Sequence, residues 1–325
     1  VLVEDTATDG VVVGLVSVGD LSDVRIRRPA RDGFGTGLLA DIGSTSVIDR
    51  MSVEEAPLDA LMAFGADLGV TGLSVRGAGG AGVLAEDSDL TLTGALVEEA
   101  HGAGIDLAYT GAYAVSDTVV RNTVGDALYG EGFPIRTTDN GEVPVRLTLE
   151  RVALEGGFGS GVTGDRLELT AHDLDVSDIS SFERSGQWGM GIDAKSGSVS
   201  LSRSAITGVH NAGIWLGSGV VNLVEVSVGT VASQSCAPTT CPTETAASAV
   251  FVGPDVSATL TTVLLEGAGV GLQVRGEAVA SDVVCRDNAF GVDATDGDLV
   301  THRVSLDGNT ADRADEAQVA PDTSL

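Results

Sequence analysis

Residues able to do chemistry return at fixed offsets along this chain. Four residues after a recurring Gly or Ala stand Glu131, Asp165 and Lys195, and two after it stand Tyr129, Asp193 and Trp215. Carboxylates can pass protons or hold calcium, and an amine set among acids can take a proton. Flat rings offer apolar faces to sugars. Two polar stretches flank these positions, 131–146 (EGFPIRTTDNGEVPVR) with Arg136 and 180–190 (SSFERSGQWGM) with Arg184. Two reactions fit the set. In a polysaccharide lyase, Lys195 or Arg184 abstracts the proton α to a uronate while Asp165 and Asp193 hold a calcium ion that neutralises its carboxylate. In a glycoside hydrolase, Glu131 and Asp165 form the acid–base pair, and their separation sets retention or inversion. Tyr129 and Trp215 stack on sugar in either case, with Arg184 and Asp193 binding the substrate. The competing reading is a solvated acidic face, since 47 acids bring some carboxylates together by chance.

Other chemistries lack their residues. There is no HExxH, no CxxC and no Cys/His cluster with zinc spacing. No G-x-S-x-G elbow occurs, and the G-x-G fragments are repeat turns without the following helix that a phosphate loop needs. His172 and His302 read as isolated, and His101-Gly102 recurs as His210-Asn211 at the same place in the repeat, which marks a turn preference. Cys236 and Cys241 sit in CAPTTC, where a disulfide would suit an oxidising compartment. Cys285 is left over or competes for either partner.

The elements that must carry these residues come from a repeat. The openers are Gly14, Gly37, Ala60, Gly82, Gly104, Ala127, Gly161, Gly191, Gly213, Ala249, Gly271 and Gly291, most of them 20 to 23 residues apart. An aliphatic residue follows each, and a small or apolar one stands three after it, so both point to one inward face of a short strand. Seven before the next opener lies a further aliphatic column: Val53, Val75, Val97, Val120, Leu154, Ile206, Leu264 and Val284. Beside it, Glu54, Arg76, Glu98, Arg121 and Glu155 alternate in sign, as an outward ladder between stacked strands would.

This pattern predicts an all-β chain, a right-handed single-stranded parallel β-helix of about 12 coils of about 22 residues. It resembles the pectate-lyase-like right-handed β-helix superfamily over nearly its whole length, in architecture. Polygalacturonase-like members carry N-T-D, D-D, H-G and R-I-K motifs. Here TTDNG at 137–141 lacks the first, Asp-Asp and R-I-K are missing, and only His101-Gly102 matches. The comparison therefore points away from catalysis. Residues 1–13 read as an N-terminal cap or partial coil, 14–310 as the helix with inserted loops at 131–146, 180–190 and 232–248, and 311–325 as an acidic tail or linker.

Composition agrees with such a fold. Hydrophobic residues make up 43% but aromatics only 4%, so the core is aliphatic, and 44 glycines serve a chain that turns often. The formal charge of −29 argues against nucleic acid and anionic membranes as partners. It reads as solubility, or else as divalent-cation binding or a salty habitat. Lys195 is the single lysine. No run of eighteen apolar residues spans a membrane, and the start at Val1, with no initiator Met or signal pattern, reads as a mature form or an excised segment.

The outward column two after each opener begins Val16, Leu39, Met62, Leu84. Leu39, Met62 and Leu84 form an apolar stripe that calls for cover by a terminal segment or neighbouring domain, or for contact within an oligomer. Two functions remain. The first is a secreted or cell-surface module without catalytic activity, for adhesion, display or glycan binding, its partner a polysaccharide or cell-surface protein and its cofactor none, or calcium. The second is the lyase or hydrolase, acting on an outward sheet face under the inserted loops.

Overall fold

The computed structural model describes residues 1–5, 9–14, 18–29, 35–125, 132–181, 189–232 and 247–314. Its strands pair in parallel with the strand one coil later, as in Leu38–Ala40 with Leu61–Phe64 and Leu61–Phe64 with Val83–Glu86. Parallel crossovers in one sheet are right-handed because of strand twist. The chain is a right-handed parallel β-helix and divides into two units, Val1–Phe158 with Val162–Arg166 and Gly159–Gly161 with Leu167–Leu325.

Each coil turns two corners through left-handed residues five positions apart. In the first unit these run from Asp23 and Arg28 to Arg151 and Gly156, and in the second from Asp173 and Asp178 to Arg303 and Gly308. Among the described residues there are six such pairs in each unit, with φ between +46° and +70°. The left-handed residue breaks the strict two-residue alternation of a strand. Ile48, Met51, Val53 and Ala56 can therefore all face inward around the corners at Arg50 and Glu55, each at most 2% exposed. Asp and Asn tolerate this conformation best among residues with a Cβ. Many corners here nevertheless carry Arg, Glu or Thr, held by the ladders on both sides.

The aliphatic columns stack as their spacing implies. Ile26, Val53, Val75, Val97, Val120 and Leu154 are in register and at most 1% exposed. Each such side chain contributes about 1.5–3 kcal/mol by burial. The small openers also have a cause. A Cβ at Gly82 would lie 2.7 Å from the Gly104 carbonyl oxygen and strike the Val97 side chain. The charged ladder is in register too and begins one coil earlier, at Arg27. Arg27 pairs with Glu54 at 3.1 Å and Arg121 with Glu98 at 2.5 Å, while Arg76 turns to Glu99 at 3.5 Å.

Four expectations are corrected. The first coil opens at Gly10 rather than Gly14, since Val11–Val13 pairs with Leu38–Ala40. The coil expected to open at Ala127 places its strand at Phe133–Thr138, in register with Ala103–Ala108, so the expected loop 131–146 contains a strand. In the second unit the inward column runs Val176, Ile206, Val228, Leu265 and Cys285, one residue beyond Leu264 and Val284. Ala311–Ala314 pairs with Phe290–Asp293, so the ladder continues past 310. At the other end, Leu2–Glu4 and Val11–Val13 within 1–13 already belong to the ladders.

Candidate functional site

On one outward face of the second unit, Asp193, Trp215, Phe251, Gln273 and Asp293 occupy the same position of five successive strands. They sit between inward aliphatic residues such as Ile214 and Leu216, so strand alternation turns them away from the core. Trp215 and Phe251 are half-buried, with ring planes 7° apart and centroids separated by 6.1 Å. Gly217 leaves room for the indole, because a Cβ there would come within 3.1 Å of Trp215 Cη2.

Polar groups continue the column. Asp193 is 2% exposed and Gln273 4%. Ser248 Oγ donates to Gln273 Oε1 at 2.6 Å, and Gln273 Nε2 donates to Asp293 Oδ2 at 3.4 Å. Arg275 Nη2 reaches the same oxygen at 2.7 Å, while the Thr295 hydroxyl and amide donate to Oδ1 at 2.7 and 3.2 Å. Burial works against the charge of Asp293. The bonds from Arg275 and Thr295 outweigh it and hold the carboxyl below the usual carboxylate range. Next to this network runs a groove of about 390 Å³ lined by Pro254, Arg275, Glu277, Thr295, Asp296 and Asp298.

The residues singled out from sequence divide as follows. Asp193 and Trp215 are register neighbours, and Lys195 is exposed on the strand of Asp193. Asp165 is exposed and belongs to the first unit. Tyr129, Glu131, Arg184, Cys236 and Cys241 lie outside the described residues. Arg136, expected in a loop, stands in a strand and pairs with the buried Asp106, Nε to Oδ1 at 3.1 Å. Leu39, Met62 and Leu84 are half-buried and in register, and Val12 extends their stripe by one strand. Among the described residues no group of three or more His, Cys, Asp or Glu side chains is placed to hold a metal ion, and no helix is long and apolar enough to cross a membrane.

Arg275 escaped the sequence reading although it occupies the offset of Asp165 and Lys195, four residues after an opener. Its arginine had no acid in sequence to suggest a role, since Asp293 comes a coil later. His172 is not isolated. Its Nδ1 lies 2.6 Å from Ser202 Oγ and its Nε2 3.6 Å from Asp173, which also holds Arg203. This outlines a nucleophile, base and acid, but Arg203 donates to Nε2. The ring is thus engaged at both nitrogens.

No family model matches the chain, and no curated protein sequence matches it. Solved structures with a similar course include a hyperthermoactive exopolygalacturonase from Thermotoga maritima, 7% identical, covering 84% of this chain and 55% of that one, with a TM-score of 0.28. The receptor-binding tailspike of bacteriophage Det7 is 8% identical over 98% of this chain and 74% of its own, with a TM-score of 0.25. Tailspike protein 3 of bacteriophage CBA120 is 11% identical over 99% and 55%, with a TM-score of 0.28. The chain thus spans about half the length of the exopolygalacturonase and of the CBA120 tailspike.

Proposed function

We propose that the chain is a non-catalytic glycan-binding β-helix module acting outside the cell or at its surface, and that the Asp193–Asp293 face is its binding surface. The observation that carries this reading is the half-buried pair Trp215 and Phe251, in line with Asp193, Gln273 and Asp293 on one sheet face. Aromatic rings supply an apolar platform for the C–H faces of a pyranose, and the nearly buried Asp193 and Gln273 form the polar bed on which that platform rests. Asp193 and Asp293 are four strand spacings apart, roughly 19 Å. That exceeds the separation at which two carboxyls cleave a glycosidic bond by either route.

The test is retention and turnover on a panel of immobilised polysaccharides, with and without calcium. The account expects retention of the purified protein with no new reducing ends and no unsaturated-uronate absorbance. Unsaturated product that disappears in Lys195→Ala would overturn it in favour of a lyase, and reducing ends without that absorbance in favour of a hydrolase.

A further inference from the structure

We infer that the glycan accepted by this face carries no carboxylate, so that it binds uncharged or amine-bearing sugars and rejects polyuronates. This rests on the glycan-binding reading above and follows from where the charges stand.

The groove at the Asp293 end of the column exposes Glu277, Asp296 and Asp298, and none of the three forms an ion pair among the described residues. Glu277 and Asp298 are direct register partners on adjacent strands. Like charges placed opposite each other destabilise a sheet, and among the described residues no cation pairs with them. The guanidinium at the groove, Arg275, is held by Asp293 at 2.7 Å, with both side chains largely covered. Its charge is therefore already spent on a carboxylate of the protein. Lys195 lies at the other end of the column, on the strand next to that of Trp215 and roughly 19 Å from Asp293 by strand spacing, so the acidic groove dominates only the Asp293 end. That distance is beyond the Debye length of about 8–10 Å at ordinary ionic strength. A uronate polymer running along the column to its Asp293 end would bring its carboxylates up to three unpaired ones. A neutral sugar meets the same hydrogen-bonding groups without that repulsion, and a protonated amino sugar is attracted.

The experiment compares each uncharged polymer with a carboxylated form of the same backbone: β-glucan with carboxymethyl β-glucan, and methyl-esterified polygalacturonan with its saponified form. Chitosan serves as the amine-bearing arm. Retention of the whole chain is measured at 20 mM and 500 mM NaCl. The expected result is retention by at least one uncharged polymer or chitosan, with the carboxylated partner at least about fivefold weaker at low salt and the gap closing at high salt. Glu277→Gln combined with Asp298→Asn should narrow the gap at low salt. Equal or tighter retention of a carboxylated form at low salt would overturn this inference and leave the glycan reading in place. No retention by any polymer in the panel would overturn the glycan reading and this inference with it.

Discussion

Asp117 and Arg151, left-handed residues at the same corner of consecutive coils, meet as a two-pronged ion pair, Nε to Oδ1 at 2.5 Å and Nη2 to Oδ2 at 2.8 Å. The same arrangement joins Asp23 with Arg50, Asp173 with Arg203 and Asp282 with Arg303. An Arg fork above an Asp thus ties one strained corner to the next, in both units.

These pairs predict an acid limit to stability. Hydrogen bonds from the arginines hold the carboxyls of Asp23, Asp117 and Asp282 below the usual range. A carboxyl with a depressed folded value stabilises the fold above its unfolded value of about 3.9, and that contribution is lost as pH falls through the folded value. The melting temperature should be insensitive to these groups between pH 5 and 8 and drop below about pH 4. Asp117→Asn with Asp282→Asn should lower it slightly at pH 7 and flatten the acid slope, as followed by circular dichroism. An unchanged slope would mean that the pairs add nothing, as many exposed ion pairs do.

Backbone crowding predicts a contrast between two glycines. Gly219 has φ +120°, and a Cβ there would collide with the Gly197 carbonyl on the neighbouring strand. Gly141 has φ +81° with open space around it. Gly219→Ala should cost about 3 kcal/mol or more, and Gly141→Ala about 1 kcal/mol from backbone strain alone. Guanidinium unfolding of both variants measures the difference, and equal costs would contradict the crowding argument.

Cys285 should be inert while the protein is folded. It is 0% exposed, and burial pushes its thiol up to about 12. A disulfide reagent at pH 8 should leave it unmodified in buffer and label it once denaturant unfolds the chain. Cys285→Ser places a hydroxyl in an aliphatic column and should cost about 1–3 kcal/mol. Rapid labelling of the native protein at this residue would contradict its placement.

The sequence reveals the coils through position-specific chemistry and misleads where two registers satisfy the same rule. The strings after Gly10 and Gly14 both read as Gly followed by aliphatic residues, and pairing with Leu38–Ala40 decides for Gly10. Pro134 is neither Gly nor Ala and so does not carry the opener signal, although Ile135 stacks on Ile105. Val284 reads as the inward residue in place of Cys285 because the turn that follows is one residue shorter than in earlier coils. Asp193 and Trp215 were legible as neighbours because consecutive openers align them without a gap in register. The Arg275–Asp293 pair was not, since it joins different offsets of two coils.

The most direct test of the glycan-binding face is affinity electrophoresis in gels cast with uncharged polysaccharides, comparing the wild type with Trp215→Ala and with Met62→Ala as a control in the other unit. The account predicts that at least one polysaccharide retards the wild type. Trp215→Ala should weaken binding about 3- to 10-fold, the scale of one aromatic contact, and Met62→Ala should leave it unchanged. Free migration of the wild type in every gel, or equal retardation of Trp215→Ala, would contradict the account.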